Sequence, residues 1–334
     1  KHSKELTASM KKFTMAEIAE MSGVGKSTIS RYFNGGYVKE ATRERIQAVI
    51  RECGYMPNSF ARLNARESNI IGVVVPTLNS KITGRVITSI DRYLREQGYE
   101  TLIKSSDHQI ALELDNIRRL ISLNVGGILL SSISITDQHR ELIANSPIPL
   151  VVMAQEFDAG ISVVDDDYQA GFEMGKYVGK SHPEHVVWLG ITDTDRAVGI
   201  VRRQGVLDGL KSCGVSDIRL FSGDYSYESG QKMAKEALEN GPVTAMICAT
   251  DRLAFGAYHT LAQFGKRIPD DVSVAGFGGY DESELLSPEL TTLKFDSYAL
   301  GQLSAETILR LIRNEPVPVK QVIGFQLISG KSVK

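Results

Sequence analysis

Lys26, Ser27, Thr28, Ser30 and Arg31 crowd one short stretch of the chain, with Ile29 and Phe33 as its apolar positions. Short hydroxyls and long cations at this spacing suit one chemistry. Hydroxyls bond phosphate oxygens or base edges, and an arginine can reach guanine through two parallel hydrogen bonds. On a helix these groups form the outer face while Ile29 and Phe33 turn inward. A solvated polar face has the same composition, so the surrounding elements must separate the two readings.

Those elements favour contact with DNA. Thr14-Met15-Ala16-Glu17 has the pattern of a capping box, in which the Thr14 oxygen accepts from a free backbone N–H and Glu17 reaches back to the Thr14 amide. Met15, Ile18 and Ala19, with Met21 beyond, predict a short amphipathic helix ended by Ser22-Gly23-Val24. A second helix is predicted from Lys26 to Phe33, stopped by Asn34-Gly35-Gly36, and a third from about Ala41 to Cys53, with Ile46, Val49, Ile50 and Cys53 on one face and Gly54 after it. Three short helices, the first two joined by a tight glycine-containing turn, make a helix-turn-helix head. Pro57 blocks continuation of the third helix, and residues 58–66 have helix formers without a broad apolar face. They fit a linker that orders against DNA, and equally a plain tether.

From Asn69 onward, β-branched runs alternate with amphipathic stretches. Ile70–Val75 predicts a buried strand, a helix covers about 83–97, and further strands lie near 99–104, 126–131, 149–153, 185–191, 217–222, 243–248 and 271–277. Such alternation gives parallel sheets covered on both faces through right-handed crossovers, and a body of this length favours two lobes with a cleft between them. Ligands in open α/β sheets bind beyond the carboxyl ends of strands, so the loops after 75, 131, 153, 191, 222, 248 and 277 are the places to look. No GxGxxG, GxxxxGK[ST], GxSxG or HExxH signature stands there, so no catalytic residues are assigned. Gly276-Phe277-Gly278-Gly279 fits a tight turn better than a phosphate loop.

Charge divides the chain in the same way. Residues 1–66 hold 12 Lys and Arg against 6 Asp and Glu, a net +6, whereas the remainder holds 26 against 34, a net −8. A basic head on an acidic body is the asymmetry expected when one module meets phosphate. Cys53, Cys213 and Cys248 are far apart and lack a CxxC, which argues for a reducing cytoplasm and against a disulfide frame or zinc site. The six histidines show no metal-ligand spacing, so neither metal nor cofactor is expected. No run of eighteen apolar residues exists, so no membrane contact is expected. Residues 1–12 are read as a tag remnant or disordered N-terminus, with Met10-Lys11-Lys12 looking like a natural start.

Several segments together resemble the lactose-repressor/galactose-repressor (LacI/GalR) family. These are Thr14 to Ala19, Ser22 to Arg31, Asn34, Thr42 to Ile46 and Gly54 to Asn58 in the head, with Ile71 to Pro76, Gly126 to Ile128, Arg202 to Gly205, Ala249 to Ala254 and Pro288 to Thr292 in the body. The likeness spans roughly residues 13–328. Lys26-Ser-Thr and Ala249-Thr-Asp are similar to repressors of sucrose or trehalose operons within that family. It implies an all-α helix-turn-helix head (13–57), a hinge helix and linker (58–69), and an α/β core (70–334) of two doubly wound parallel-sheet lobes of the periplasmic-binding-protein type. The first lobe would comprise about 70–164 and 296–320, the second about 165–295 and 321–334.

The resemblance also implies roles. Lys26, Ser27 and Arg31 would read bases in near-palindromic double-stranded operator DNA; Thr14, Thr28, Ser30, Asn34, Tyr55 and Asn58 would belong to the same DNA-binding set, several of them on the backbone. The linker helix would enter the minor groove, where the family inserts a leucine between base pairs. Asn64 occupies that aligned position here and Leu63 precedes it, so either Leu63 substitutes or the bend is weaker. Ser80, Arg196, Arg202, Tyr225, Thr250 and Asp251 match effector-cleft positions. Arg202, Asp251 and Tyr225 supply the bidentate polar groups and aromatic wall that sugar recognition needs, although Asp251 could equally cap its helix and Tyr225 could be core. Gly278 stands where many members carry an acidic residue, with Asp281 three residues on. Thr77 stands where a trehalose-phosphate sensor has arginine, which weighs against a phosphorylated effector.

The expectation is a cytoplasmic, nucleoid-associated homodimeric repressor, released by a mono- or disaccharide or its phosphate. A dimer and no tetramer is expected because no leucine heptad follows the last strand. Rival readings are a corepressor-type or adaptor-dependent regulator and, from another class, a sugar-binding protein or sugar-processing enzyme with an unusual N-terminal extension.

Overall fold

The computed structural model describes residues 13–33, 36–53 and 68–334. The chain divides into two compact units, one ending at Ser68 and the other beginning at Asn69.

In the first unit, α1 (Met15–Met21), α2 (Lys26–Phe33) and α3 (Glu40–Cys53) follow one another. The capping box forms: Thr14 N–H donates to Glu17 Oε2 at 2.7 Å and Glu17 N–H to Thr14 Oγ1 at 3.3 Å. Gly23, at φ +63°, makes the left-handed turn that lets Val24 N–H bond back to Ala19 O at 2.9 Å. Ile18, Ala19, Ile29, Val38 and Ile46 fill the centre, with Phe33, Val49, Ile50 and Cys53 packed around them. Met21, placed on the apolar stripe by sequence, is instead 47% exposed, because the turn that ends α1 begins beside it.

The second unit is two six-stranded sheets. The first contains β1 (Ile70–Val75), β2 (Glu100–Ser105), β3 (Gly127–Ser131), β4 (Leu150–Met153), β5 (Ile161–Asp165) and β11 (Lys320–Ile323), in the order β11-β5-β4-β3-β1-β2 and parallel throughout. Helices α4 (Lys81–Glu96), α5 (Ile110–Ser122), α6 (Asp137–Ala144) and α11 (Ser297–Ile312) belong with it. The second sheet contains β6 (Val186–Ile191), β7 (Ile218–Gly223), β8 (Ala245–Cys248), β9 (Ser273–Phe277), β10 (Thr291–Phe295) and β12 (Phe325–Ile328), in the order β12-β10-β9-β8-β6-β7. Only β12 runs antiparallel to its neighbour. Its helices are α7 (Asp167–Gly179), a π-helical turn (Arg196–Arg202) running into α8 (Arg203–Ser212), α9 (Tyr227–Glu239) and α10 (Asp251–Gln263).

Strands such as β4, β6, β8 and β9 are buried at every position, which is why they read as unbroken apolar runs. The chain passes between the lobes after β5, after β10 and at Gly324. This last crossing falls three residues later than the boundary expected from sequence, because β11 pairs with β5 through Ile323.

Candidate functional site

Helix α2 presents the residues singled out by sequence on its solvent side. Lys26, Ser27 and Arg31 are exposed, Thr28 and Ser30 are half-buried, and Ile29 is fully buried. Thr14 is exposed at the start of α1, where its hydroxyl serves the cap. Arg43 from α3 lies over the Tyr32 ring of α2 at 5.7 Å, a contact between the two helices. Asn34, Tyr55, Asn58, Leu63 and Asn64 lie outside the described residues, as does most of the 58–69 linker.

In the second unit the carboxyl ends of both sheets' strands face each other. Gln155, after β4, donates through Nε2 to Asp195 Oδ1 at 2.8 Å and accepts from Ala197 N–H at 3.2 Å. The His108 ring, after β2, stacks on Tyr225, after β7, at 6.0 Å and 20°. Arg85 of α4 donates to Gly279 O and to Asp281 Oδ1, each at 3.0 Å, while Lys81 pairs with Glu282 and Arg252 donates to Asn79 O. Two open hollows of about 270 and 370 Å³ flank β7, and neither is lined by residues of both lobes.

Arg202 is the buried cation of this region. Its Nε and Nη2 donate to Asp167 Oδ1 at 2.8 and 2.5 Å, its Nη1 donates to Ala249 O at 2.9 Å, and the Phe277 and Phe295 rings lie 5.0 Å from its guanidinium. Burial penalises the charge on Arg202, but the ion pair and hydrogen bonds with Asp167, with Tyr225 and Asp165 adding, together outweigh it and raise its pKa. The pair exists because α7 and α8 touch backbone to backbone. A Cβ on Gly171 would lie 2.2 Å from Arg202 O, and one on Gly205 would lie 2.1 Å from Tyr168 O. That approach sets Asp167, at the head of α7, against the π-helical turn that carries Arg202. Asp165, two residues earlier, adds a second carboxyl. Burial and the charge of Asp167 push it up to about 7, and its Oδ1 is buried with no hydrogen-bond partner among the described residues.

Tyr225 donates its hydroxyl to Asp195 Oδ2 at 2.5 Å, and burial raises its pKa well above the usual phenol value, with Asp195 adding to the shift. Arg202 and Tyr225 are therefore brought together with Asp167 and Asp195 at the ends of β6 to β8. Arg196 opens the π-helical turn and is exposed. Ser80 and Thr250 cap α4 and α10. Asp251 is fully buried and faces inward: Oδ1 accepts from Thr292 at 2.5 Å, and Oδ2 accepts from Tyr280 N–H at 2.9 Å and Ser283 at 3.0 Å. It anchors the loop after β9, where Gly278 and Gly279 take φ +139° and +57°. Asp281 is exposed and spent on Arg85.

His108, Gln155, Asp165, Asp167 and Asp195 carry much of this geometry and were not singled out from sequence. Each ends a strand or follows one, but nothing in the local spelling distinguishes a strand-end polar group that faces another lobe. The buried first-lobe set of Glu113, His139, Ser132 and Ser106 was equally silent. Glu113 Oε1 accepts from His139 Nε2 at 2.9 Å and from Ser132 at 2.5 Å, and Oε2 accepts from Ser106 at 3.3 Å. Thr136 N–H donates to His139 Nδ1 at 3.2 Å, which leaves Nε2 to face Glu113.

Among the described residues no three His, Cys, Asp or Glu side chains could hold a metal ion, and no helix is long and apolar enough to cross a membrane. Residues 14–58 match the bacterial regulatory proteins of the lacI family, and residues 68–329 match the periplasmic binding proteins and sugar binding domain of the LacI family. The sucrose operon repressor of Staphylococcus xylosus is 30% identical over 93% of this chain and 98% of its own length. The ribose operon repressor of Bacillus subtilis is 28% identical over 91% of this chain and 93% of its own. Among solved structures, a lac repressor dimer bound to operator and an anti-inducer superposes with a TM-score of 0.86 at 25% identity, covering 96% of this chain and 99% of that one. With both its head and its two-lobed body matched, the chain belongs to the LacI family of DNA-binding transcription regulators.

Proposed function

We propose that the protein represses a sugar-utilisation operon and is released from its operator by a small sugar held between the lobes. The observation that carries this reading is α2: it buries Ile29 into the head and turns Lys26, Ser27 and Arg31 to solvent, the side-chain types that read a major groove. Two copies of the head, one from each half of a homodimer, would meet the half-sites of a near-palindromic operator in the cytoplasm. Thr14, Thr28 and Ser30 would take the flanking phosphates.

In the body, Tyr225, Arg202, Arg196 and Ser80 surround the place where a sugar would lie, with His108, Gln155, Asp165 and Asp195 as further contacts. Asp251 would support this site from behind, since it is fully buried and both its oxygens serve the loop after β9, and Asp281 would brace Arg85. The relatives' names support sugar operons as the regulated class. A sugar can shift the DNA-binding equilibrium only by its differential affinity for the two states, typically about 1–3 kcal/mol of coupling. The test is fluorescence anisotropy of the purified protein on labelled genomic fragments against random competitor, with a panel of sugars. Selective binding that a sugar reverses supports the reading; absence of any preferred fragment refutes it, and tightening by sugar reverses its direction.

A further inference from the structure

The hinge end of the cleft is rich in carboxyls and poor in uncommitted cations. Asp165, Asp167 and Asp195 stand with one guanidinium, Arg202. Three of its five N–H groups are occupied by Asp167 and Ala249, and aromatic rings lie close on it. Asp195 is buried at the ends of β6 and the π-helical turn and is held by Gln155 and Tyr225. Asp165 Oδ1 is buried and without a partner among the described residues.

A carboxylate only accepts hydrogen bonds, and a sugar hydroxyl is a donor that can reach it without bringing charge. Resting on the reading of this cleft as the sugar site, we infer that the effector is an uncharged polyhydroxy compound whose hydroxyl meets Asp165, and that sugar phosphates and sugar acids are rejected. An added anion would be brought beside buried carboxyls, where like charges repel more strongly than in water. Burial and the charge of Asp167 push the Asp165 carboxyl up to about 7, the direction expected where negative charge is already crowded. Arg196 and Arg252 do not reverse this balance: Arg196 is exposed, where ion pairing is weakened by water and salt, and Arg252 is turned to Asn79 O.

The experiment is isothermal titration of the full chain with matched ligands: glucose, glucose 6-phosphate and gluconate; fructose and fructose 6-phosphate; ribose and ribose 5-phosphate; and sucrose. In the series that binds, the neutral member should bind at least tenfold more tightly than its anion, and Asp165→Asn should narrow that gap severalfold. Asp165→Ser gives the same readout should Asp165→Asn fail to fold. An anion that binds as tightly as its neutral parent overturns the charge argument while leaving a carbohydrate site in place. Unchanged discrimination in folded variants also overturns it. If no carbohydrate binds while operator binding persists, the sugar-site reading falls and takes this inference with it.

Discussion

Gln155 and Asp195 come from opposite lobes and are joined side chain to side chain, with Gln155 Nε2 2.8 Å from Asp195 Oδ1 and Gln155 Oε1 taking the Ala197 N–H. The second lobe's Asp195 also caps the π-helical turn, accepting from Val198 N–H at 3.0 Å. One carboxylate thus fixes both the cleft closure and the start of the segment that carries Arg202. Gln155→Ala removes the closure contact and spares the cap. A hydrogen bond to a charged group is worth about 1.5–3 kcal/mol, so a closing ligand should need roughly ten- to a hundredfold more concentration to act. Operator affinity without ligand should change little. Titrating sugar against operator release reads this directly, and an unmoved midpoint would show that the contact is incidental.

On the head, Arg31 and Ile29 separate recognition from folding. Arg31 is exposed and Ile29 fully buried on the same helix. Arg31→Ala should weaken specific operator binding by about 1–3 kcal/mol per half-site and leave the melting curve in place. Ile29→Ala should cost about 2–5 kcal/mol of head stability by opening a cavity. Gel shifts and circular dichroism on both variants test the division. Full selectivity retained in Arg31→Ala would remove α2 from base reading.

The contrast between these two residues also shows what sequence could supply. Apolar period and caps are local, so α1 to α3 and the buried strands were legible, as was the pairing of Ile29 and Phe33 against Lys26 and Arg31. The strands β5, β10, β11 and β12 were not. β11 and β12 flank Gly324 and have their residues largely part-exposed, so they lack an apolar run; β5 and β10 are short and end on the carboxyl or aromatic groups that begin lobe crossings. The candidate site was legible only in part for a related reason. Arg202 stands out by type, but its partner Asp167 is set by the close crossing of α7 and α8, and His108 meets Tyr225 only across the lobes. Asp251 shows the converse: a conspicuous residue whose oxygens turn out to serve the chain's own loop.

The α7–α8 crossing should tolerate no side chain. At Gly205 a Cβ would come within 2.1 Å of Tyr168 O, a backbone atom that cannot swing aside. Gly205→Ala should therefore destabilise the body by about 1–3 kcal/mol or more. Gly84, inside α4, has nothing within 4 Å of its Cβ position, so Gly84→Ala should stabilise by about 0.5–1 kcal/mol through helix propensity. Opposite shifts in thermal midpoint are expected; a lowered midpoint for Gly84→Ala, or none for Gly205→Ala, would contradict the packing described.

Asp165 gives the protein a pH dependence of a defined sign. Its carboxyl titrates near 3.9 in an unfolded chain and is pushed up to about 7 in the fold, first by burial and then by the charge of Asp167. The native state therefore holds this proton more tightly than the unfolded state between those values. Its contribution to stability is whole below about pH 4 and is lost progressively as pH rises through about 7. Asp165→Asn cannot ionise, so relative to wild type the variant should gain stability as pH increases from about 5 to 8, by roughly 2–4 kcal/mol across the window. Other groups contribute slopes of their own, which is why the difference between the two proteins is the quantity to follow. Urea unfolding of both at intervals of half a pH unit provides it. Parallel stability profiles would mean that Asp165 is ionised throughout and that its buried oxygen is better solvated than its surroundings indicate.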